Sequence, residues 1–202
     1  GVTISADSSY YDYVAVSKEG PTLQIYLNPH HTFTDFSMQA RTLKAKITMP
    51  ALYSLDVSGA SKATVSGFSS PKDLSLDISG ASSLKMEEME VRDLDCEVSG
   101  ASKVTGSINA TDVEFEVSGA SKIDLEGLAN NLDLKASGAS KVYLADFPLE
   151  NASVILSGAS ESDINVRGRL DCELSAASLL TFEGKPVMGD IRVSGASTIK
   201  HR

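Results

Sequence analysis

One four-residue phrase, Ser-Gly-Ala-Ser, returns along most of the 202-residue chain and restricts its fold more than any other feature. Eight copies follow one another at intervals of 18 to 21 residues, and only the copy at Ser175 departs from the phrase, with SAAS. A unit of this length is too short for a strand, a crossover helix and a second strand, so successive units must coil and stack on one another. The copies begin at Ser58, Ser79, Ser99, Ser118, Ser137, Ser157, Ser175 and Ser194.

Apolar and polar residues alternate on both sides of each tetrad. This period of two indicates one strand before the tetrad and one after it, each with one face turned inward. Crossovers between parallel strands are overwhelmingly right-handed. We therefore predict an all-β protein, a right-handed parallel β-helix (β-solenoid) with coils of about 19–20 residues. The column three residues before the tetrad holds Leu55, Leu76, Cys96, Phe115, Leu134, Val154, Cys172 and Ile191. The column five residues after its first serine holds Ala63, Leu84, Val104, Ile123, Val142, Ser162, Leu180 and Ile199.

The tetrad itself is predicted to form a ladder of tight corners. Small residues let neighbouring coils approach closely, and serine hydroxyls can satisfy backbone groups that a bend leaves unpaired. Because Ala176 replaces the glycine in one copy, we expect close packing, and not a positive φ angle, to explain the glycine. The ladder includes Ser58, Gly59, Ala60, Ser61, Ser99, Gly100, Ala101, Ser102, Ser118, Gly119, Ala120 and Ser121.

The two cysteines, Cys96 and Cys172, fall in the same inward column, four repeat units apart. Stacked strands are about 4.8 Å apart, so the two residues are separated by roughly 19 Å. A disulfide needs a Cα separation of about 4.4–6.8 Å. We therefore expect two reduced, inward-facing thiols.

The chain divides by its repeats into two parts. Residues 1–50 lack the tetrad but are β-rich, and are expected to be degenerate coils or a cap. Residues 51–202 are expected to form the regular coils of one continuous domain. The least regular stretch within the repeats, Lys85 to Asp93, is expected to bulge as a loop.

Charge and composition exclude several classes of partner. A net charge of −9 argues against nucleic acid, because affinity for nucleic acid depends on clustered Lys and Arg. No apolar run approaches the roughly 20 residues of a membrane span, and no secretory leader is present at Gly1. Aromatic residues make up only 6% of the chain, which disfavours a sugar cleft with stacked rings.

Acidic residues repeat in outward columns before the tetrad, and lysines repeat after it. Stacked carboxylates repel one another by roughly 1 kcal/mol per neighbour in water, so lysines reaching around the corner are expected to offset them. A solvated, self-compensated face is favoured over a Ca²⁺ site, because Ca²⁺ requires about 6 to 8 converging oxygens. The candidate interaction face consists of Glu97, Glu116, Glu114, Asp95, Lys103 and Lys122.

No residue pattern predicts catalysis, a metal site or a cofactor. A serine nucleophile needs an activating base, and the repeated serines are better explained as corners. The pair His30–His31 is more consistent with an exposed loop than with half of a metal site. Many right-handed β-helices cleave polysaccharides, but their clefts are built from long inserts that this chain lacks. The polysaccharide lyase or hydrolase remains the alternative function, and one groove with two carboxylates about 5 to 9 Å apart would favour it.

The segment ITMPALYSLDVSGAS, followed by recurrent VSGASK, resembles the family of putative auto-transporter adhesins with a head GIN domain, known from cell-envelope proteins of Bacteroidetes. The resemblance implies an exported right-handed β-helix that is periplasmic, associated with the outer membrane or at the cell surface. It brings no catalytic residue. We predict a non-enzymatic, adhesin-like or spacer module that binds an extended glycan, matrix or envelope protein. A further alternative is self-association through strand pairing at the last coil, near Ile199.

Overall fold

The computed structural model describes residues 1–6, 13–27 and 43–202, and divides the chain into two compact units, Gly1–Pro50 and Ala51–Arg202. Seventeen strands and no α-helix occur in the described ranges. The strands are β1 (Val2–Ala6), β2 (Val14–Glu19), β3 (Thr22–Leu27), β4 (Leu43–Ile47), β5 (Ser54–Val57), β6 (Lys62–Ser66), β7 (Leu74–Ile78), β8 (Ser83–Glu90), β9 (Asp93–Val98), β10 (Lys103–Asn109), β11 (Asp112–Val117), β12 (Lys122–Ala136), β13 (Lys141–Leu156), β14 (Glu161–Leu174), β15 (Leu179–Glu183), β16 (Val187–Val193) and β17 (Thr198–His201).

The described strands of the first unit pair antiparallel. β1 pairs with β4, and β2 pairs with β3 in a hairpin whose turn is Gly20-Pro21. These pairings differ from the parallel stacking of the repeats, and the role of this unit as a cap stays a prediction. The pair His30–His31 lies outside the described residues.

The second unit is a β-solenoid of about eight turns, which confirms the predicted fold class. Strands β5 to β17 form a 13-stranded sheet in which each strand pairs in parallel with its equivalents one coil away. Each coil has a leading wall, formed by the strand before the tetrad, and a trailing wall, formed by the strand after it. In β12, β13 and β14 the trailing wall of one coil runs directly into the leading wall of the next. The handedness of the coil stays a prediction.

The inward columns follow the predicted register. Phe115 lies opposite Cys96 on one side and Leu134 on the other, and all three side chains are fully buried. The inward side chains of successive coils stack in this way and together form one apolar core. One inward position is polar: Ser162 lies between Val142 and Leu180 and is fully buried, and its hydroxyl has no hydrogen-bond partner.

Both cysteines are free and buried, as expected. Cys96 and Cys172 are separated by four steps of the parallel register. Burial raises the pKa of the Cys96 thiol to about 12, and burial also raises the pKa of Cys172. Neither thiol is therefore ionised at neutral pH.

The glycine of the tetrad has two roles, and our expectation that its φ is not positive is wrong. Gly138 has a φ of 75°, and a Cβ atom there would lie 2.6 Å from the carbonyl oxygen of Gly119. The replacement residue Ala176 also has a positive φ, 65°. An alanine in this conformation costs roughly 1–2 kcal/mol, which one coil tolerates, so its presence does not exclude a left-handed corner.

The second serine of the tetrad points into the corner. The N–H of Ser82 donates to Ser102 Oγ at 3.3 Å, and in later coils the hydroxyl instead donates to a backbone carbonyl, as Ser140 Oγ does to Ser137 O at 2.9 Å. These hydroxyls thus pair with backbone groups at the bend. The buried second serines are Ser82, Ser102, Ser121, Ser140, Ser160 and Ser178.

The stretch from Lys85 to Asp93 is not a loop, and that prediction is wrong. Strand β8 continues to Glu90 and pairs with β10, with a register shift between Gly106 and Ile108. The one extra residue is taken up by a bulge in which Glu88 has a φ of 53°. A β-bulge accommodates an inserted residue while the pairing resumes beyond it.

Candidate functional site

The outward side of the leading wall carries a dense array of carboxylates. We define the acidic wall as residues 72–77, 92–97, 111–116 and 130–135, which lie on four successive coils. It contains nine carboxylates and three cations, a net charge of −6 out of the −9 of the whole chain. The carboxylates are Asp73, Asp77, Asp93, Asp95, Glu97, Asp112, Glu114, Glu116 and Asp133.

Parallel register places like charges directly beside one another on this wall. Glu116 lies opposite Glu97, and Glu114 lies opposite Asp95 and Asp133. Neighbouring strands are about 4.8 Å apart, so these carboxylates repel one another unless a cation intervenes. The arrangement follows from two rules of the sequence, alternation within a strand and near-constant coil length.

A shallow groove of about 570 Å³ runs along the acidic wall. Residues from five successive coils line it, and they include both apolar residues and carboxylates. Its lining residues are Tyr53, Asp73, Leu74, Ser75, Asp93, Leu94, Asp95, Asp112, Val113, Glu114, Asn131, Leu132 and Asp133.

Two of the three cations hold pairs of carboxylates together. Lys135 Nζ lies 3.0 Å from both Glu114 Oε1 and Glu116 Oε1, and these contacts raise the pKa of the lysine. Arg92 contacts Asp73 at 2.6 Å and Asp93 at 3.1 Å, which raises its pKa in the same way. All of these groups are solvent-exposed, so the pairs contribute little to stability.

A short ladder of amides continues one acidic column beyond the wall. Asn131 Nδ2 donates to Asp112 Oδ1 at 2.6 Å, and Asn151 Nδ2 donates to Asn131 Oδ1 at 3.0 Å. The N–H of Arg169 donates to Asn151 Oδ1 at 3.1 Å. Sequence reasoning missed this ladder, although the signal was present: the column that holds Asp93 and Asp112 changes to Asn131 and Asn151.

The six residues of the candidate interaction face belong to two different walls. Asp95, Glu97, Glu114 and Glu116 lie together on the leading wall. Lys103 and Lys122 lie beside each other on the trailing wall, across the corner.

Two lysines of the trailing wall, Lys122 and Lys141, pair with carboxylates on the same wall. Lys122 pairs with Asp124 at 2.7 Å and lies 4.8 Å from the ring centre of Tyr143, and Lys141 pairs with Glu161 at 3.3 Å. Four of the nine carboxylates of the acidic wall are paired with Lys135 or Arg92, and not with lysines reaching around the corner as expected.

The described residues contain no cluster of three or more His, Cys, Asp or Glu side chains arranged to hold a metal ion. In the same part of the chain, no helix has the length and apolar character that a membrane span requires. The acidic wall is therefore a row of exposed carboxylates and not a converging set of ligands. Such a row can attract cationic groups spaced along an extended partner.

The family model described as "Putative auto-transporter adhesin, head GIN domain" matches residues 1–186. The chain belongs to this family. No curated protein matches the sequence.

Of three solved structures of similar fold, two are named as putative adhesins and one as a putative lipid binding protein. A putative adhesin from Parabacteroides distasonis ATCC 8503 has a TM-score of 0.82 and 17% identity, covering 100% of this chain and 83% of the other. A putative adhesin from Parabacteroides merdae ATCC 43184 has a TM-score of 0.80 and 16% identity, covering 100% and 82%. A putative lipid binding protein from P. distasonis has a TM-score of 0.73 and 15% identity, covering 100% and 83%. At these identities the likeness establishes the fold.

Proposed function

We propose that this chain is a non-enzymatic, adhesin-like module of the cell envelope that binds an extended, positively charged partner along the acidic wall. The partner class is a basic segment of a matrix or envelope protein. Membership of an adhesin family supports the surface role, and the charge of the wall supports the partner's chemistry.

The observation that carries the proposal is the uncompensated charge of the wall. The wall contains nine carboxylates and only three cations over four coils, and the parallel register of the strands places like charges side by side. This arrangement does not favour folding, since adjacent carboxylates repel by up to about 1 kcal/mol when held 4 Å apart in water, and by less where exposed side chains move apart. Alternating the signs of these outward positions would remove the repulsion without changing the inward faces. Binding of a cationic partner would relieve the repulsion.

The repeated spacing favours an extended partner. Equivalent carboxylates recur at about 4.8 Å along the solenoid, so several weak contacts can act together on one chain. The inside of the solenoid is filled by side chains, which leaves the outer surface for any ligand. The same argument applies to a lipid: it would have to bind outside.

The test is binding of the purified chain to immobilised poly-L-lysine, matrix proteins, mucins and polysaccharides. The wall variant carries Glu97→Lys, Glu114→Lys and Glu116→Lys. The control variant carries Glu126→Lys, Asp146→Lys and Glu150→Lys, which changes three exposed carboxylates outside the wall by the same charge. We expect the wall variant to lose at least tenfold in affinity for basic ligands and the control to stay within about threefold.

Salt dependence separates specific wall binding from general attraction. Binding along the wall should weaken as salt rises from 50 to 300 mM, because exposed charges are screened. Equal losses in both variants would contradict the proposal. If a neutral polysaccharide binds, and neither variant changes that binding, a surface other than the acidic wall is responsible.

The groove also supports a second candidate function, that of a polysaccharide lyase or hydrolase. Carboxylates such as Asp95 and Asp112 lie on neighbouring coils and line the same groove, so more than one carboxylate is present there, as the enzyme hypothesis requires. Glycosidases raise the pKa of one carboxyl by placing it in an apolar site. The groove carboxylates are instead exposed, and some are bound by Arg92 or Asn131. Release of reducing ends or unsaturated sugars, abolished by Asp95→Asn, would favour the enzyme.

A further inference from the structure

The corner of the solenoid is bordered by opposite charges on its two sides. Three coils repeat an acidic residue two positions before the first serine of the tetrad and a lysine directly after the last serine. The acidic residues belong to the leading wall and the lysines to the trailing wall. We define the corner strip as residues 56–62, 77–83, 97–103 and 116–122. Its acid–lysine pairs are Asp56 and Lys62, Glu97 and Lys103, and Glu116 and Lys122.

Parallel register aligns each sign of charge in a column along the solenoid. Asp77, Glu97 and Glu116 lie opposite one another on successive strands of the leading wall. Lys103 lies opposite Lys122 on the trailing wall. The strip contains four carboxylates and three lysines, a net charge of −1, although the chain as a whole carries −9. It is therefore a nearly neutral surface whose two signs are kept apart by the corner.

In two of the coils, neither charge is neutralised within the chain. Glu97 and Lys103 are exposed, as are Asp56 and Lys62, and none of the four makes an ion pair with another described residue. The charges of the third coil are held by ion pairs on their own walls. The strip thus presents free acids on one side of the corner and free lysines on the other.

We propose that the corner strip binds the corner strip of a second copy of this chain. In the proposed dimer a two-fold axis runs parallel to the solenoid axis, so that each coil faces the same coil of the other copy. An interface of this kind uses the same surface patch on both subunits. The proposal goes beyond the proposed function, because its acidic and basic groups both come from this chain.

The charges select this orientation of the two copies. A half turn about a perpendicular axis would place acid against acid and lysine against lysine. A half turn about an axis parallel to the solenoid axis instead brings the acidic column of each copy against the lysine column of the other. Glu97 of each copy then lies beside Lys103 of the other, so this coil supplies two intermolecular ion pairs. Complementary charges of this kind fix the register of an interface.

The shape of the corner permits the contact. Its centre is a glycine followed by an alanine, such as Gly119 and Ala120, and both are exposed. No side chain longer than a methyl group therefore lies at the apex, and the longer glutamate and lysine side chains can reach past it. At the next coil Lys135 and Lys141 hold both positions, but each is neutralised by a carboxylate of its own chain.

The strip is narrow, and this sets the expected strength of the dimer. A stable interface buries about 800 Å² on each partner, which is more than a row of four such corners provides. We therefore expect a weak dimer, with a Kd of about 100 µM at low salt.

The first experiment mixes two variants that cannot pair with themselves. One carries Glu97→Lys and Glu116→Lys, and the other carries Lys103→Glu and Lys122→Glu. Either variant alone sets like charges against each other across the axis, whereas a dimer of one with the other has opposite charges at every exchanged position. The variants carry net charges four units above and four units below the −9 of the natural chain, so both remain negative and have no general attraction.

Sedimentation equilibrium from 10 to 500 µM at 20 mM salt measures the result. Each variant alone should be monomeric, whereas the natural chain and the mixture should form dimers. Both dimers should dissociate at 500 mM salt, because exposed charges are screened. A natural chain that is monomeric at 500 µM, or a mixture that associates no better than its components, would overturn the proposal.

One variant separates this proposal from the proposed function. Lys103→Glu changes no residue of the acidic wall, so it should weaken dimerisation about tenfold while binding to poly-L-lysine stays within about threefold. Lys185→Glu changes an exposed lysine outside the strip by the same charge and should leave the dimer unchanged. If Lys103→Glu dimerises as well as this control, the corner strip is not the interface, whatever the result with poly-L-lysine.

A cysteine at the apex tests the register. The two Ala120 residues face one another across the proposed axis. Under mild oxidation, Ala120→Cys should form a disulfide-linked dimer about tenfold faster than Asn130→Cys, because dimerisation raises the local concentration of the thiols at the apex only. Asn130 is also exposed, but lies on the edge where the trailing wall runs into the next leading wall. The native cysteines are buried and will not interfere. Equal rates would mean random collision and would reject the register.

Discussion

The corner of the solenoid recurs in every regular coil, whereas the acidic wall extends over four successive coils, and the two repeat for different reasons. The corner repeats because backbone meets backbone there: a Cβ atom on the glycine would strike the coil before it, and the φ angle is positive. The wall repeats its carboxylates where space and conformation allow any polar residue. The first repetition is required by the fold, whereas the second is not, and it is the second that supports the proposed role of the outer surface.

The sharpest test of this difference is a substitution at the corner. Gly119→Val should cost more than about 4 kcal/mol or prevent folding, because valine would combine a positive φ with contact against the Gly100 carbonyl. Gly67→Val is the matched control, since Gly67 has nearly the same φ, 71°, but open space around it. We expect the control to lose about 1–3 kcal/mol by urea unfolding. Similar losses in both variants would mean that φ alone explains the glycine.

The second test compares the two serines of one tetrad. Ser102→Ala removes the acceptor of the Ser82 N–H in a buried corner and should cost about 1–3 kcal/mol in free energy of unfolding. Ser99→Ala changes a half-buried serine of the same corner and should lie within about 0.5 kcal/mol of the natural chain. Chemical denaturation of both variants measures the difference. If Ser99 matters as much as Ser102, the hydroxyl ladder is not what holds the corner.

Much of the architecture was predictable because the solenoid converts sequence period into spatial register. Aligning the tetrads places Cys96 beside Phe115 and Val142 beside Ser162, and the structure has both pairs. The positive φ at the tetrad does not follow from the sequence pattern, because Ala176 in the glycine position argues against it, yet Ala176 itself has a φ of 65°. A single alanine excludes a conformation only if its cost exceeds what one coil can tolerate.

Two other predictions are wrong, one where the length of a coil differs from its neighbours and one where exposed side chains choose their ion-pair partners. Lys85 to Asp93 has irregular polarity because the coil holds an additional residue, and the chain absorbs it as a bulge without leaving the sheet. The partner of Glu114 and Glu116 is Lys135, one coil further along, rather than a lysine beyond the corner. Long exposed side chains can choose among several neighbours, so the pattern of residues alone does not select the pair.

A smaller effect is expected at the one polar position of the inward columns. Ser162→Ala removes a buried hydroxyl that has no partner and adds no volume, so it should raise the free energy of unfolding by about 1 kcal/mol. The change keeps the position small between Val142 and Leu180. Urea unfolding monitored by circular dichroism measures it. A loss of stability would show that the hydroxyl is satisfied in solution, and that the inward column accepts a polar residue there at no cost.

The smallest effect is expected on the acidic wall, and its sign is informative. Glu97 lies between Asp77 and Glu116 in the parallel register, and has no ion pair among the described residues. Glu97→Gln keeps the shape of the side chain and removes two repulsive neighbours, so stability should rise, by no more than about 0.5 kcal/mol. The gain should be larger at 20 mM salt than at 500 mM, because salt already screens the repulsion. A loss of stability would mean that the wall is built for folding after all, and would remove the reason for assigning its charge to a partner.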